Sequence, residues 1–226
     1  MHYTIYPIGD SAIQIKFKNP DTQTLHQYTA VLQKKQCAGV YDIVPGLETI
    51  TLFYHYPRTN YLNIATTVTK ILEAPQIKIS EHPSRTLYIP TLYDGPDLQD
   101  VADFHKTTIE KIIETHSAQT YEVSMLGFLP GFPYLNGLPS SLHTPRKKEP
   151  RLQVEAGSVG IGGESTGIYP ITSPGGWNLI GRTSVSLFSL EEEPPFLFQQ
   201  GDKVKFVPVS ELTKTKREDV IFYENN

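Results

Sequence analysis

The chain has 226 residues, 38% hydrophobic and 19% charged, with 20 Lys and Arg against 24 Asp and Glu for a formal net charge of −4. That length buries one or two ordinary cores, and 13 Tyr and 10 Phe exclude a disordered chain. The charge balance gives no reason to expect nucleic acid as a partner.

Cys37 is the only cysteine, so no disulfide forms within the chain, and the seven histidines include no HExxH pair. The start, Met1 to Phe17, alternates polar and apolar residues and does not read as a signal peptide. No apolar run approaches the roughly 18 residues that span a bilayer. A soluble cytoplasmic protein without membrane contact is expected.

Residues 1–84 read as a compact α+β domain with a small antiparallel sheet and two helices on one face. Ile13, Ile15 and Phe17 alternate as in a half-buried strand. Asn19-Pro20 offers a cap and a first helical proline, and Leu25, Tyr28 and Leu32 then share a helical face. Val40–Val44 and Thr49–Tyr54 read as strands around a turn at Pro45-Gly46. Tyr61, Ile64, Ala65, Val68, Ile71 and Leu72 keep the helical period. Ile77–Ile79 is expected to close the sheet, and Glu81–Ser84 to be the linker.

Residues 85–226 read as a mainly-β domain. Arg85–Pro90 is expected as a strand, followed by two short helices, the first capped by Asp97 and the second by a Thr107/Glu110 capping box. Residues 121–181 then hold eleven of the 16 glycines, with aromatic residues threaded between them. Such a segment must pack, and a closed barrel of short strands satisfies both facts. Ser184–Leu190 and Lys203–Val209 alternate as further barrel strands, with a solvated loop at Glu191–Pro195.

Gly163-Glu164-Ser165-Thr166-Gly167 matches a nucleophile elbow, but Ile168–Gly176 carries two prolines and two glycines and cannot supply the helix that motif needs. No P-loop occurs. His143–Arg151 is the one basic cluster: a solvated turn by one reading, an anion clamp through the planar forks of Arg146 and Arg151 by the other. Gly127–Leu135 and Ser173–Trp177 read either as aromatic plugs and turns or as site walls, where glycine lets backbone approach a ligand.

Several blocks in one order carry a resemblance. They are Met125-x-Gly127-Phe128-x-Pro130-Gly131-Phe132-Pro133-Tyr134-Leu135, Pro145-Arg146, Pro150-Arg151, Ala156–Ile161, Thr166–Pro170, Ser173–Trp177 and Ile180–Thr183. Pro7-x-Gly9-Asp10-Ser11 and Gly95-Pro96-Asp97-Leu98 extend them over nearly the whole chain. Together they resemble the KipI/PxpB family, also called allophanate hydrolase subunit 1-like. The sequence departs from the family pattern at Gly162–Gly167, where Ser165 stands in place of a usual Gln.

The resemblance implies a cyclophilin-like C-terminal barrel. It also implies a role as the B subunit of a bacterial ATP-dependent 5-oxoprolinase, a cyclic amide hydrolase inactive as an isolated chain. The partners implied are the LamB/YcsF-like A and the KipA-like C subunits, with ATP and Mg²⁺ used by the assembled complex. The alternative is a KipI-like inhibitor that binds a sensor histidine kinase. Prolyl isomerase activity rests on fold analogy alone. On chemistry and position in the motifs, Arg146, Arg151 and Arg182 are the expected anion partners, Tyr134 and Trp177 the pocket walls, and Glu164 the acid/base or metal-contacting group. Of these, Glu164 and Arg182 are the catalytic candidates.

Overall fold

In a computed structural model, residues 2–74 and 85–223 are described. The chain divides into two compact units, Met1–His82 and Pro83–Asn226. The expected linker and the strand at Ile77–Ile79 lie outside the described residues.

In the first unit, β1 (Tyr3–Ile8), β2 (Ala12–Phe17), β3 (Val40–Pro45) and β4 (Thr49–Tyr54) form an antiparallel sheet in the order β1-β2-β4-β3. Ile13 and Ile15 of β2 pair with Leu52 and Ile50 of β4, so alternation places four buried aliphatic side chains on one face. Helices α1 (Thr22–Lys35) and α2 (Tyr61–Glu73) supply Leu25, Leu32, Ile64, Val68 and Leu72 to the same core. The opposite face is polar at its centre, where Tyr6 Oη donates to Gln14 and Gln14 Nε2 donates to Thr51 Oγ1. The cap of α1 is Asp21, not Asn19: Asp21 Oδ1 accepts from Thr24 N at 2.7 Å, while Asn19 turns the chain with φ 47°.

The second unit contains β5 (Arg85–Thr91), α3 (Leu98–Phe104), α4 (Ile109–Ala118), β6 (Tyr121–Leu126) and β7 (Pro133–Asn136). Then follow β8 (Arg151–Val154), β9 (Ser158–Gly162), β10 (Ser165–Ile168), β11 (Ser173–Gly175), β12 (Asn178–Arg182), β13 (Lys203–Pro208) and β14 (Ile221–Tyr223). Eight strands make one mixed sheet in the order β12-β9-β10-β7-β6-β13-β5-β14, and β8 and β11 make a separate pair. The β13/β5 pair is parallel.

The expected closed barrel is not what these strands form. Past Thr91, one bridge joins Leu92 to Arg182 of β12, and beyond it only single bonds, from Gly95 N and Asp97 N, reach β12 carbonyls. Pro96, between those two donors, has no N–H of its own to add, and the chain turns into α3. Ser184–Leu190 is not a strand either. Val185 and Leu187 are buried and their neighbours Ser184 and Ser186 exposed, as the alternation requires, but the backbone pairs only at one isolated bridge, Phe188 with Phe196, while Ser186 O accepts from Arg217 Nε. Extended backbone alternates its side chains whether or not a neighbour completes a ladder. The second helix starts one residue later than expected: Thr108, not Thr107, accepts from Lys111 N. Among the described residues, no helix is long and apolar enough to cross a membrane.

Candidate functional site

The segment before α3 is pressed against β12. Gly95 N and Asp97 N donate to the carbonyls of Ile180 and Leu179, and a Cβ on Gly95 would collide with the Leu179 carbonyl oxygen. This fixes Asp97 at the start of α3 with 1% exposure. Its side chain does not cap the helix as the sequence suggests. Oδ2 accepts from Leu179 N at 2.7 Å, and Oδ1 accepts from Arg151 Nη2 at 2.6 Å and Lys147 Nζ at 2.5 Å. Burial alone would raise the Asp97 pKa; the Arg151, Lys147 and Leu179 donors outweigh it and hold the carboxyl below its ordinary value.

The basic loop is anchored at three points. Thr144 bridges Gly163, Asn178 Nδ2 donates to Pro145 O, and Lys147 N donates to Gly176 O. Arg146 is thereby laid over the indole of Trp177, with Cζ 5.8 Å from the ring centroid. The indole is buried and meets Phe132 at 5.3 Å and Tyr134 at 5.8 Å, both edge-on, while Phe132 also meets Tyr169. Glycine makes this packing possible: a Cβ on Gly162 would lie 2.5 Å from the indole. Burial raises the Tyr169 hydroxyl pKa, opposed by the Trp177 backbone N–H and by the charges of Arg146 and Arg151. Both arginines therefore act on the same hydroxyl. The pairing of Gly175 with Arg151 in β11 and β8 holds Arg151 beside the Trp177 turn.

Of the residues singled out from sequence, Tyr134, Arg146 and Trp177 meet in one cluster, with Arg151 at its cationic edge. Arg182 is 58% exposed and occupied by Asp94, to which Nε and Nη2 both donate. Glu164 is exposed in the turn between β9 and β10. Neither shares an ion pair or hydrogen bond with the arginine cluster among the described residues. Sequence reasoning missed Asp97, Lys147 and Tyr169 as site residues. Asp97 had a signal, in Gly95-Pro96-Asp97-Leu98, but its spacing to α3 favoured a capping role. Two surface concavities lie elsewhere: one of about 570 Å³ in the first unit bounded by β1 and α2, and an apolar one of about 410 Å³ around Tyr88, Val207 and Phe222. Neither offers the paired cations and edge-packed rings of the Trp177 cluster, which is the site the chemistry favours.

Fold and site together define an α+β protein whose larger unit, an open mixed sheet, carries an arginine-rimmed aromatic face. The family described as carboxyltransferase domain, subdomain C and D, matches residues 3–198, and the chain belongs to it, in agreement with the KipI/PxpB resemblance. The chain is 42% identical over 211 residues to the 5-oxoprolinase B subunit of Haemophilus influenzae, covering 90% of this chain and 96% of that one. It resembles the solved structure of TTHA0988 with a TM-score of 0.78 at 32% identity, covering 89% of this chain and 40% of the other. The urea carboxylase of Kluyveromyces lactis shares the fold, with a TM-score of 0.75 at 18% identity over 92% of this chain and 22% of its own.

Proposed function

We propose that the chain is the B subunit of an ATP-dependent 5-oxoprolinase, opening the lactam of 5-oxoproline to glutamate in the cytoplasm together with an A (LamB/YcsF-like) and a C (KipA-like) subunit. The observation that carries this reading is Arg146 laid over Trp177 beside Tyr134 and Tyr169, with Arg151 at the edge. A small planar amide bearing a carboxylate suits such a face: the rings cover the flat amide and the guanidinium forks take the carboxylate. Relatives of this length and similarity that bear the 5-oxoprolinase name support it.

A lactam carbonyl is a poor electrophile because amide resonance feeds its carbon. ATP with Mg²⁺, used by the assembled complex, would supply a phosphoryl group that turns the carbonyl oxygen into part of a leaving group. The contribution of this chain is to fix the substrate, with the carboxylate on Arg146 and Arg151 and the ring against Trp177 and Tyr134, so that attack starts from one geometry. Arg182 and Glu164, both exposed, serve in this reading at a surface completed only within the assembled complex, as anion partner and as acid/base or metal-contacting group.

Reconstitution tests the reading. Glutamate formation from 5-oxoproline and ATP is expected when the chain is co-purified with A and C subunits, and none from the chain alone. Turnover by the isolated chain, or an assembled complex without turnover, contradicts it.

A further inference from the structure

The cluster around Asp97 is one anion short. Lys147 and Arg151 both donate to the same carboxylate oxygen, so two cations share a single buried charge. Lys147 also reaches Asp100, but at 3.5 Å to a side chain that is 69% exposed, which contributes little. Because Lys147 shares Oδ1, Arg151 gives Asp97 only Nη2 and forms no two-nitrogen fork with it. Its other arm, Nη1, is shielded from solvent and has no hydrogen-bond partner among the described residues. A buried donor without an acceptor is destabilising, and a pair built only for stability would close the fork on its carboxylate.

We propose that Asp97 is the positioning residue of an oxyanion-binding site, holding Arg151 and Lys147 so that Nη1 of Arg151, together with Arg146, receives the carboxylate of the substrate. This rests on the reading of the Trp177 face as the substrate site. Asp97 touches no substrate; it acts through the two cations. Its own place is fixed by the β12 backbone, through Leu179 N on its carboxylate and through the contact of Gly95 with that strand. Arg151 is held at the same time by its strand pairing with Gly175. The guanidinium is thus held by backbone at both ends, so that only the groups shielding Nη1 move when an anion arrives.

Positioning and simple charge attraction predict opposite signs for one substitution. Asp97→Asn makes the cluster one unit more positive, so a site working by charge alone would bind anions as tightly or more tightly. A site working by geometry would bind them about tenfold more weakly, since Arg151 and Lys147 lose the charge that aims them. Trp177, the only tryptophan of the chain, reports from within the site. The experiment titrates the full chain with 5-oxoproline, and separately with inorganic phosphate, at constant ionic strength, following Trp177 fluorescence. Saturable binding in the wild type and weaker binding in Asp97→Asn are expected, with 5-oxoproline the tighter probe.

Unchanged or tighter binding in Asp97→Asn overturns the proposal, as does a wild-type chain that shows no saturable response to either probe. If Asp97→Asn does not fold, Arg151→Lys decides, because it keeps the charge and Asp97 while removing the second arm; unchanged affinity there overturns the proposal. In the assembled complex, Asp97→Asn should raise KM for 5-oxoproline more than it lowers kcat, which loss of stability alone would not do. Binding that follows these expectations beside a complex without lactam-opening activity would leave the positioning role standing and remove the proposed function.

Discussion

Tyr93 Oη lies 2.7 Å from Nδ1 of His116, and the direction of that hydrogen bond is fixed from the far side of the imidazole. Thr166 Oγ1 donates to Gly160 O, so toward His116 Nε2, 2.9 Å away, it can only accept. Nε2 therefore carries the hydrogen, and Nδ1 accepts from Tyr93. The ring is fully buried between Tyr93, Tyr121 and Phe206, with no carboxylate paired to it among the described residues, and burial pushes its pKa down to about 3.

This buried neutral histidine should make the second unit sensitive to acid. In the unfolded chain the same ring takes a proton near 6.5, so below that pH the unfolded state binds more protons than the folded one. The contribution is complete above about pH 6.5 and is lost as pH falls toward 3, at up to about 1.4 kcal/mol per pH unit. Urea unfolding between pH 7 and pH 4 should show it as a slope that His116→Leu flattens, although that variant is less stable at pH 7. Parallel slopes in the two proteins would refute the assignment.

Gly162→Ala should destabilise the second unit by about 1–3 kcal/mol, because the new methyl meets the Trp177 indole. It should also shift Trp177 emission, since the ring must move. Gly163→Ala, one residue on, meets nothing within 4 Å but keeps φ at 68°, so it should lose only about 1 kcal/mol to backbone strain and leave the emission alone. Fluorescence and thermal melts on the two variants check the contrast.

Arg85 and Asp202 form an ion pair with side chains 12% and 5% exposed, in which Nε and Nη2 both donate to the carboxylate. Asp202 also accepts from Gln199 N. Asp202→Ala leaves Arg85 buried and unpaired, and should cost about 3–5 kcal/mol in a denaturant titration. A loss below about 1 kcal/mol would show that water reaches Arg85 freely.

Arg146→Lys tests the clamp in the assembled enzyme. Lysine keeps the charge but offers a point where arginine offers a stacked fork, so kcat/KM for 5-oxoproline should fall about tenfold to a hundredfold, or about 1–3 kcal/mol. Since Arg146 is exposed, the melting temperature of the chain should barely change. Wild-type kinetics in this variant would remove Arg146 from the substrate site.

Local pattern alone determined most of the first unit. Three of its four strands and both helices follow from alternation at Ile13, Ile15 and Phe17, from Val40–Val44, from alternation at Ile50, Leu52 and Tyr54, and from the helical spacing of Leu25, Tyr28 and Leu32 and of Ile64, Val68 and Leu72. The edge strand β1 was not legible as one. The glycine and aromatic blocks of the second unit were also legible, since glycine beside a bulky ring announces close packing, as Gly162 and Trp177 show. Closure of the sheet was not legible. Alternation records which side chains face inward, and says nothing of whether a strand such as Ser184–Leu190 finds a hydrogen-bonding neighbour. Nor was the role of Asp97. From sequence its nearest unsatisfied N–H groups are those of α3, four residues or fewer away; only the fold brings Lys147, Arg151 and Leu179, separated from it by 50, 54 and 82 residues, close enough to take its carboxylate from the helix. A cap is a local bond that spacing can suggest, whereas a charge shared across three segments depends on where the sheet lays them side by side.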